Sequence, residues 1–236
     1  MAKNAKIGVL CSAGGSAFFA GFDLCRAANI IDAQNVFLLT DRACDAEARA
    51  HERSVASDRL VIPDAEAFSV SAARAFLAAG CDMVLMLFGR LVTADLYQCL
   101  PTLNIHPALL PAFPGMHAVR RARDAGVRFL GATLHVADES VDGGPIIAQT
   151  VAPIDPASEL SVWNRRSYSQ KAYLSALTLE AIACGRFVRE GRNIHLEGSA
   201  PEGDFDSRTA SNFASKALRA RFDDFCDELD MLGGRA

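Results

Sequence analysis

The 236-residue chain lacks an excess of positive charge, since 24 Lys and Arg stand against 28 Asp and Glu and no long basic run interrupts them. A polyanion would find no electrostatic footprint, which excludes nucleic acid as a general partner. The chain also lacks an apolar segment long enough to span a bilayer, so no membrane partner is expected. The uncharged stretch at residues 7–22 has the wrong form for a signal peptide: "SAGGS" breaks it and no small-x-small cleavage pattern precedes a mature domain. Missing too are a C-x-x-C pair, an internal repeat and a low-complexity tract. The seven cysteines are odd in number and scattered, a usage that fits buried thiols in a reducing compartment and predicts a cytoplasmic protein. His51 and His195 have no Cys or acid at metal-ligand spacing, so no metal is assigned.

Half of the residues are apolar, enough for one sizeable core. "KIGVLCS" (6–12) reads as a buried strand followed by a Gly/Ser turn and an apolar-periodic helix to about Ala28. A second strand is predicted at 35–41, a helix within 66–80 ended by Gly80, and a continuous apolar strand at 82–89. Such alternation implies an α/β fold with a mostly parallel sheet and helices on both faces. "PTLNIH" ends a further strand, "GATLHVAD" (131–138) alternates, and 144–154 is another strand. The pattern is helical from Ser158 to Ala183, and "RNIHLEG" is a short strand candidate. Residues 199–209 are polar and turn-rich, which divides the chain into a main domain, 1–198, and a linker with a C-terminal amphipathic helix, 199–236. The stripe Leu218, Phe222, Phe225, Leu229 and Leu232 must bury against the main domain or a second subunit, and a homodimer contact is the favoured expectation.

Chemistry concentrates in "LNIHPALLPAFPGMH", 103–117. Side chains alternate along a strand, so Asn104 and His106 share a face, and the following prolines and Gly115 make a stiff, irregular loop. In an open α/β sheet, the ligand crevice lies beyond such strand ends. Taken alone, the pair reads equally well as a turn cap and a hydrogen-bonded core histidine. A second stretch, "HVADESVDGGPIIAQ" (135–149), sets Asp142 on a Gly-Gly-Pro turn where the backbone can approach a ligand closely.

Asn104-x-His106-Pro107, the "LLPAFPG" loop and Asp142-Gly143-Gly144, 38 residues on from Asn104, together resemble the folate-dependent formyltransferases, most closely the glycinamide ribonucleotide transformylase group. The resemblance covers about residues 6–198. It implies a Rossmann-like three-layer fold and transfer of a formyl group from 10-formyltetrahydrofolate to an amine of a small molecule, without a metal. The residue types suit that chemistry. Amine attack on the formyl carbon creates a negative oxygen, for which the Asn104 carboxamide N–H and a protonated His106 are suitable donors. Asp142 can favour the charged His106 and take the amine's proton directly or through a water.

By the same resemblance, the folate lies against Phe88, Arg90, Leu91 and Val92 after the fourth strand, and against the loop of Val136, Ala137, Asp138 and Glu139. Gly89 departs from the family there, replacing a bulkier residue. The family's phosphate loop, close to Ser-Gly-x-Gly-Ser-Asn, is here Ser12-Ala13-Gly14-Gly15-Ser16-Ala17. Ser12, Gly14, Gly15 and Ser16 are the expected acceptor contacts, weakened by the two alanines. An acidic residue that helps the family hold the acceptor amine aligns with Gln170, followed by Lys171. These departures predict that glycinamide ribonucleotide is at best a poor acceptor and that a hydroxylated ornithine or an amino sugar is preferred. The alternatives are a glycinamide ribonucleotide transformylase proper, a formyltetrahydrofolate hydrolase and a non-catalytic binder. The hydrolase is disfavoured because that group carries an added N-terminal domain, and here the chain opens on its first strand.

Overall fold

The computed structural model describes residues 5–190, 193–197 and 213–233. Nine strands run in chain order: β1 (Ile7–Cys11), β2 (Val36–Thr40), β3 (Ala56–Arg59), β4 (Met83–Leu87), β5 (Thr102–His106), β6 (Phe129–Val136), β7 (Ile146–Pro153), β8 (Phe187–Glu190) and β9 (Asn193–Leu196). The α-helices are α1 (Ser16–Ala27), α2 (Asp45–Glu52), α3 (Ala65–Ala78), α4 (Ala94–Tyr97), α5 (Ala118–Asp124), α6 (Leu160–Ala183) and α7 (Lys216–Gly233). Strands β1 to β7 form one sheet in the order β3-β2-β1-β4-β5-β6-β7, and β8 and β9 form a separate hairpin. Pairing is parallel from β3 across to β5 and antiparallel between β5, β6 and β7.

All five residues of β1 are buried, as its unbroken apolar run requires of a strand covered on both faces. Phe18, Phe19 and Phe22 of α1 and the apolar side of α6 fill one face, and Phe68 and Phe76 of α3 with Leu96 and Leu100 fill the other. The chain leaves β1 towards β2 on one side and returns to β4 on the other. Their carboxyl ends therefore diverge at a topological switch point, where a crevice opens. Helices α1 and α6 are in close contact: a Cβ on Gly21 would lie 2.7 Å from Ala176 N and 2.8 Å from Ala172 O, and Cys25 Sγ donates to Ala176 O at 3.4 Å. Advancing along α1 thus advances along α6, and the two helices run in parallel.

The C-terminal stripe faces its own chain. Leu218 is buried, the Phe222 ring lies 5.0 Å from Tyr173 and 5.8 Å from Phe213, and Phe225 lies 6.0 Å from Tyr168. Glu180, fully buried on α6, accepts hydrogen bonds from Ala214 N (2.9 Å), Ser215 N (2.7 Å) and Arg186 Nη1 (3.2 Å), fastening the approach to α7. Contacts within the chain therefore satisfy the stripe as far as Phe225 and remove the reason for expecting a homodimer contact there. The expected linker and the boundary at 198/199 lie outside the described residues, as does the Leu232 side chain. Among the described residues, no helix is long and apolar enough to cross a membrane, and all seven cysteines are free thiols.

Candidate active site

A cleft of about 510 Å³ opens at the switch point, bounded by the ends of β1, β4 and β5, the Pro-rich loop, the Asp142 turn and one face of α6. Asn104 and His106 enter it from the same face of β5. Antiparallel pairing sets His135 opposite Asn104 and Thr133 opposite His106. Asp142 closes the group from the loop between β6 and β7, in a left-handed conformation (φ 54°) that Asp adopts more readily than most residues. The turn lies tight against β6: a Cβ on Gly144 would stand 1.9 Å from the Val136 carbonyl oxygen, which only glycine permits.

Four groups interlock. Asp142 Oδ2 accepts from Gly115 N at 2.7 Å and faces His106 Nδ1 at 3.2 Å. Asp142 Oδ1 accepts from Asn104 Nδ2 at 3.2 Å and lies 3.6 Å from His135 Nε2. His135 Nδ1 faces the Val136 carbonyl at 3.0 Å, so that nitrogen carries a proton and Nε2 of the neutral ring accepts from Asn104 Nδ2 at 3.1 Å. His106 Nε2 faces the Phe113 carbonyl at 2.9 Å. Two acceptors thus flank the His106 ring, the Phe113 carbonyl at hydrogen-bond distance and the Asp142 carboxylate at ion-pair distance. Beside His135, whose Nε2 is turned to Asn104 as an acceptor and gives Asp142 no proton, the Gly115 N–H and His106 hold the Asp142 carboxyl below its ordinary range against burial, which pushes it up. At 3.6 Å the His135 contact exceeds hydrogen-bond length, so the Gly115 bond is the firmest part of that cause.

Both hydrogens of the Asn104 carboxamide are taken in this arrangement, by His135 and Asp142. That corrects the simplest expectation of a free N–H aimed at the reacting oxygen: the donor must first give up its Asp142 bond. The Pro-rich loop owes its position to Thr133, whose hydroxyl accepts from Leu110 N (3.1 Å) and Gln149 Nε2 (2.9 Å) and donates to Ala108 O (2.7 Å). Motif reading did not single out Thr133 or Gln149 for this latch, because it depends on which strand lies next to β5.

The expected folate contacts divide. Phe88, Arg90, Leu91, Val92, Ala137 and Asp138 line the cleft, whereas Val136 and Glu139 do not. Val136 is buried in β6 and Glu139 is exposed on the turn. The Phe88 ring stacks on Phe68 at 5.3 Å. Arg90 is tied to the wall by Asp41 Oδ2 (3.4 Å), Ile62 O (3.0 Å) and Pro63 O (2.6 Å). Leu91, Met116 and Val141, 68%, 65% and 56% exposed, put apolar surface at the mouth.

The acceptor contacts need more revision. Ser12 and Ala13 line the cleft, but Gly14, Gly15 and Ser16 do not. Ser12 Oγ accepts from Gly89 N at 3.1 Å, and Gly15 takes the left-handed turn (φ 61°) that starts α1. Gln170 points away from the cleft; it is buried and its Nε2 donates to Leu130 O at 2.8 Å. Its neighbour Lys171 lines the cleft instead. One residue along a helix turns the side chain by about 100°, so the helix presents a cation to the site and not the expected neutral amide.

Comparison with known proteins places this geometry in a family. Residues 5–177 match the formyl transferase domain. The phosphoribosylglycinamide formyltransferase of Mycobacterium tuberculosis H37Rv is 33% identical over 206 residues, spanning 81% of this chain and 94% of that protein. The structure of glycinamide ribonucleotide transformylase 1 from Symbiobacterium toebii superposes with a TM-score of 0.74 at 32% identity, covering 83% of this chain and 95% of that one. A formyltetrahydrofolate deformylase from Pseudomonas syringae pv. tomato shares the fold at 20% identity, with a TM-score of 0.70 over 81% of this chain and 66% of its own. This chain therefore belongs to the formyl transferase family.

Proposed function

We propose that this chain is an N-formyltransferase that uses 10-formyltetrahydrofolate and carries out the transfer at Asn104, His106 and Asp142. The observation that carries the proposal is the convergence of these three on one cleft with a stiff loop above them and exposed apolar residues at its mouth. Leu91, Met116 and Val141 offer cover for a flat, partly aromatic cosubstrate. The seven free thiols suit a cytoplasmic setting.

In the reaction, the amine nitrogen bonds to the formyl carbon, the bond from that carbon to folate N10 breaks, and the proton lost by the amine ends on N10. The ionised Asp142 receives the amine's proton, directly or through a water. Partial neutralisation of that carboxylate loosens its bond from Asn104, so the freed N–H turns to the growing negative charge on the formyl oxygen while His135 still holds the other. His106 places positive charge beside the same oxygen. A donor of this kind contributes several kcal/mol to the transition state.

A second reading, in which glycinamide ribonucleotide is the acceptor, is favoured by the similarity to phosphoribosylglycinamide formyltransferases along nearly their full length. Replacing His106 with Ala tests the proposed centre: amine-dependent turnover should fall on the order of 10²-fold or more. Near-normal turnover in a folded variant contradicts it.

A further inference from the structure

We infer that Lys171 is a specificity residue that receives an anionic group, carboxylate or phosphate, on the acceptor amine. The inference rests on the formyl-transfer reading above and adds the chemical class of the second substrate.

Lys171 lines the cleft that holds Asn104, His106 and Asp142, and it has no ion pair or side-chain hydrogen bond among the described residues. The other strong charges lining the cleft are engaged. Arg90 is held by Asp41 and two carbonyls. Asp142 is surrounded by Gly115 N–H, Asn104 and two histidines. Asp138 accepts from Ser140 N (2.9 Å) and from the Ser140 hydroxyl. Burial lowers the pKa of Lys171, the mark of an ammonium withdrawn from water without a counter-charge. A desolvated cation left unpaired in a binding cleft is compensated when a ligand brings the opposite charge.

Its place on α6 points to the acceptor end. Ala172 packs level with Gly21 of α1, and Gly21 is five residues beyond the start of that helix, a rise of about 7 Å. Helical Cα–Cβ bonds tilt towards the N-terminus, so the Lys171 stem rises alongside α1 towards the Ser12–Ala13 loop that lines the same cleft. That loop is poorly equipped to hold an anion alone. Ser12 Oγ already accepts from Gly89 N, and Asp45 puts a carboxylate oxygen 4.0 Å from the Cβ position of Gly14. The positive charge an anionic acceptor needs is supplied from α6.

The test uses two amine pairs whose members differ by one anion: glycinamide ribonucleotide with its dephosphorylated ribonucleoside, and ornithine with 1,4-diaminobutane. The pairs distinguish a phosphate from a carboxylate. The parent should prefer the anionic member of at least one pair. Lys171→Met should lower kcat/KM for that member about 10²-fold, as loss of a charge-assisted contact does, mainly through KM. The anion-free partner and the KM for 10-formyltetrahydrofolate should change by less than threefold, and Lys171→Arg should keep most of the preference. Equal loss on both members, no loss, or no product from either anionic amine overturns the inference. Binding of 10-formyltetrahydrofolate, measured separately by calorimetry, shows which reading has failed. Retained folate binding and amine formylation without the preference sink Lys171 alone; absence of both sinks the formyl-transfer reading with it.

Discussion

Asp142→Asn is the most informative single substitution, because it keeps shape while removing the charge at the centre of the cluster. Asp142 Oδ2 accepts from Gly115 N at 2.7 Å and Oδ1 from Asn104 Nδ2 at 3.2 Å. Whichever way the new amide turns, its NH2 faces one of those donors. One hydrogen bond to a charged group is lost, about 1.5–3 kcal/mol, and a donor is left facing a donor at a further cost of about 1–3 kcal/mol. Folding stability should fall by about 2.5–6 kcal/mol, and kcat by about 10²–10⁴ with the proton acceptor gone. The pH dependence gives a second signature. The native fold lowers the Asp142 pKa, so its stabilisation is fully present above the unfolded value of about 4 and is lost as pH falls through the folded value. Urea melts of parent and variant should show a constant gap from neutral pH down to about 5 and a closing gap below about 4. A variant with kcat within threefold of the parent, or a gap that widens on acidification, refutes the assignment.

Three further outcomes are expected. Gly144→Ala must move the Asp142 turn away from the Val136 carbonyl, 1.9 Å from the new Cβ, so kcat should fall more than 10-fold with stability lowered by about 1–3 kcal/mol; unchanged kinetics would show that the turn's position is unimportant. Ending the chain at residue 205 removes Phe213, Leu218 and Phe222 from the core and strips Glu180 of two N–H donors, at a cost of about 5 kcal/mol or more. Calorimetry should show a large drop in Tm, and an equally stable truncated monomer would contradict the packing described. Lys171→Met should be more stable than the parent at pH 7 without ligand. Burial lowers the folded pKa of Lys171, so the unfolded chain binds more protons between that value and about 10.4, parent stability rises with pH there, and the gap should narrow. A less stable variant contradicts the unpaired ammonium.

The residues that sequence reading identified are those whose signal is local. The apolar run of β1, the helix ended by Gly80 and the shared face of Asn104 and His106 follow from periodicity and turn chemistry, and each appears as expected. Strand β3 was missed because all four of its residues are exposed and carry no apolar pattern. The contact of His135 with Asn104 was not legible, because only the antiparallel register brings the two opposite each other. Gln170 and Lys171 were exchanged because helix phase, set by how α6 packs on β6, decides which of two neighbours meets the cleft. The stripe on α7 was legible as apolar, but its partner was not, since Tyr173 and Phe213 approach it only in three dimensions.

The central claim is that the cleft moves a formyl group from folate to an amine, and the most direct test follows the group itself. In a single turnover with 10-formyltetrahydrofolate labelled in the formyl carbon and the panel of four amines, the label should pass to an N-formyl product in step with tetrahydrofolate release. His106→Ala should slow both together. Release of the label as formate at the same rate with and without amine would contradict the account.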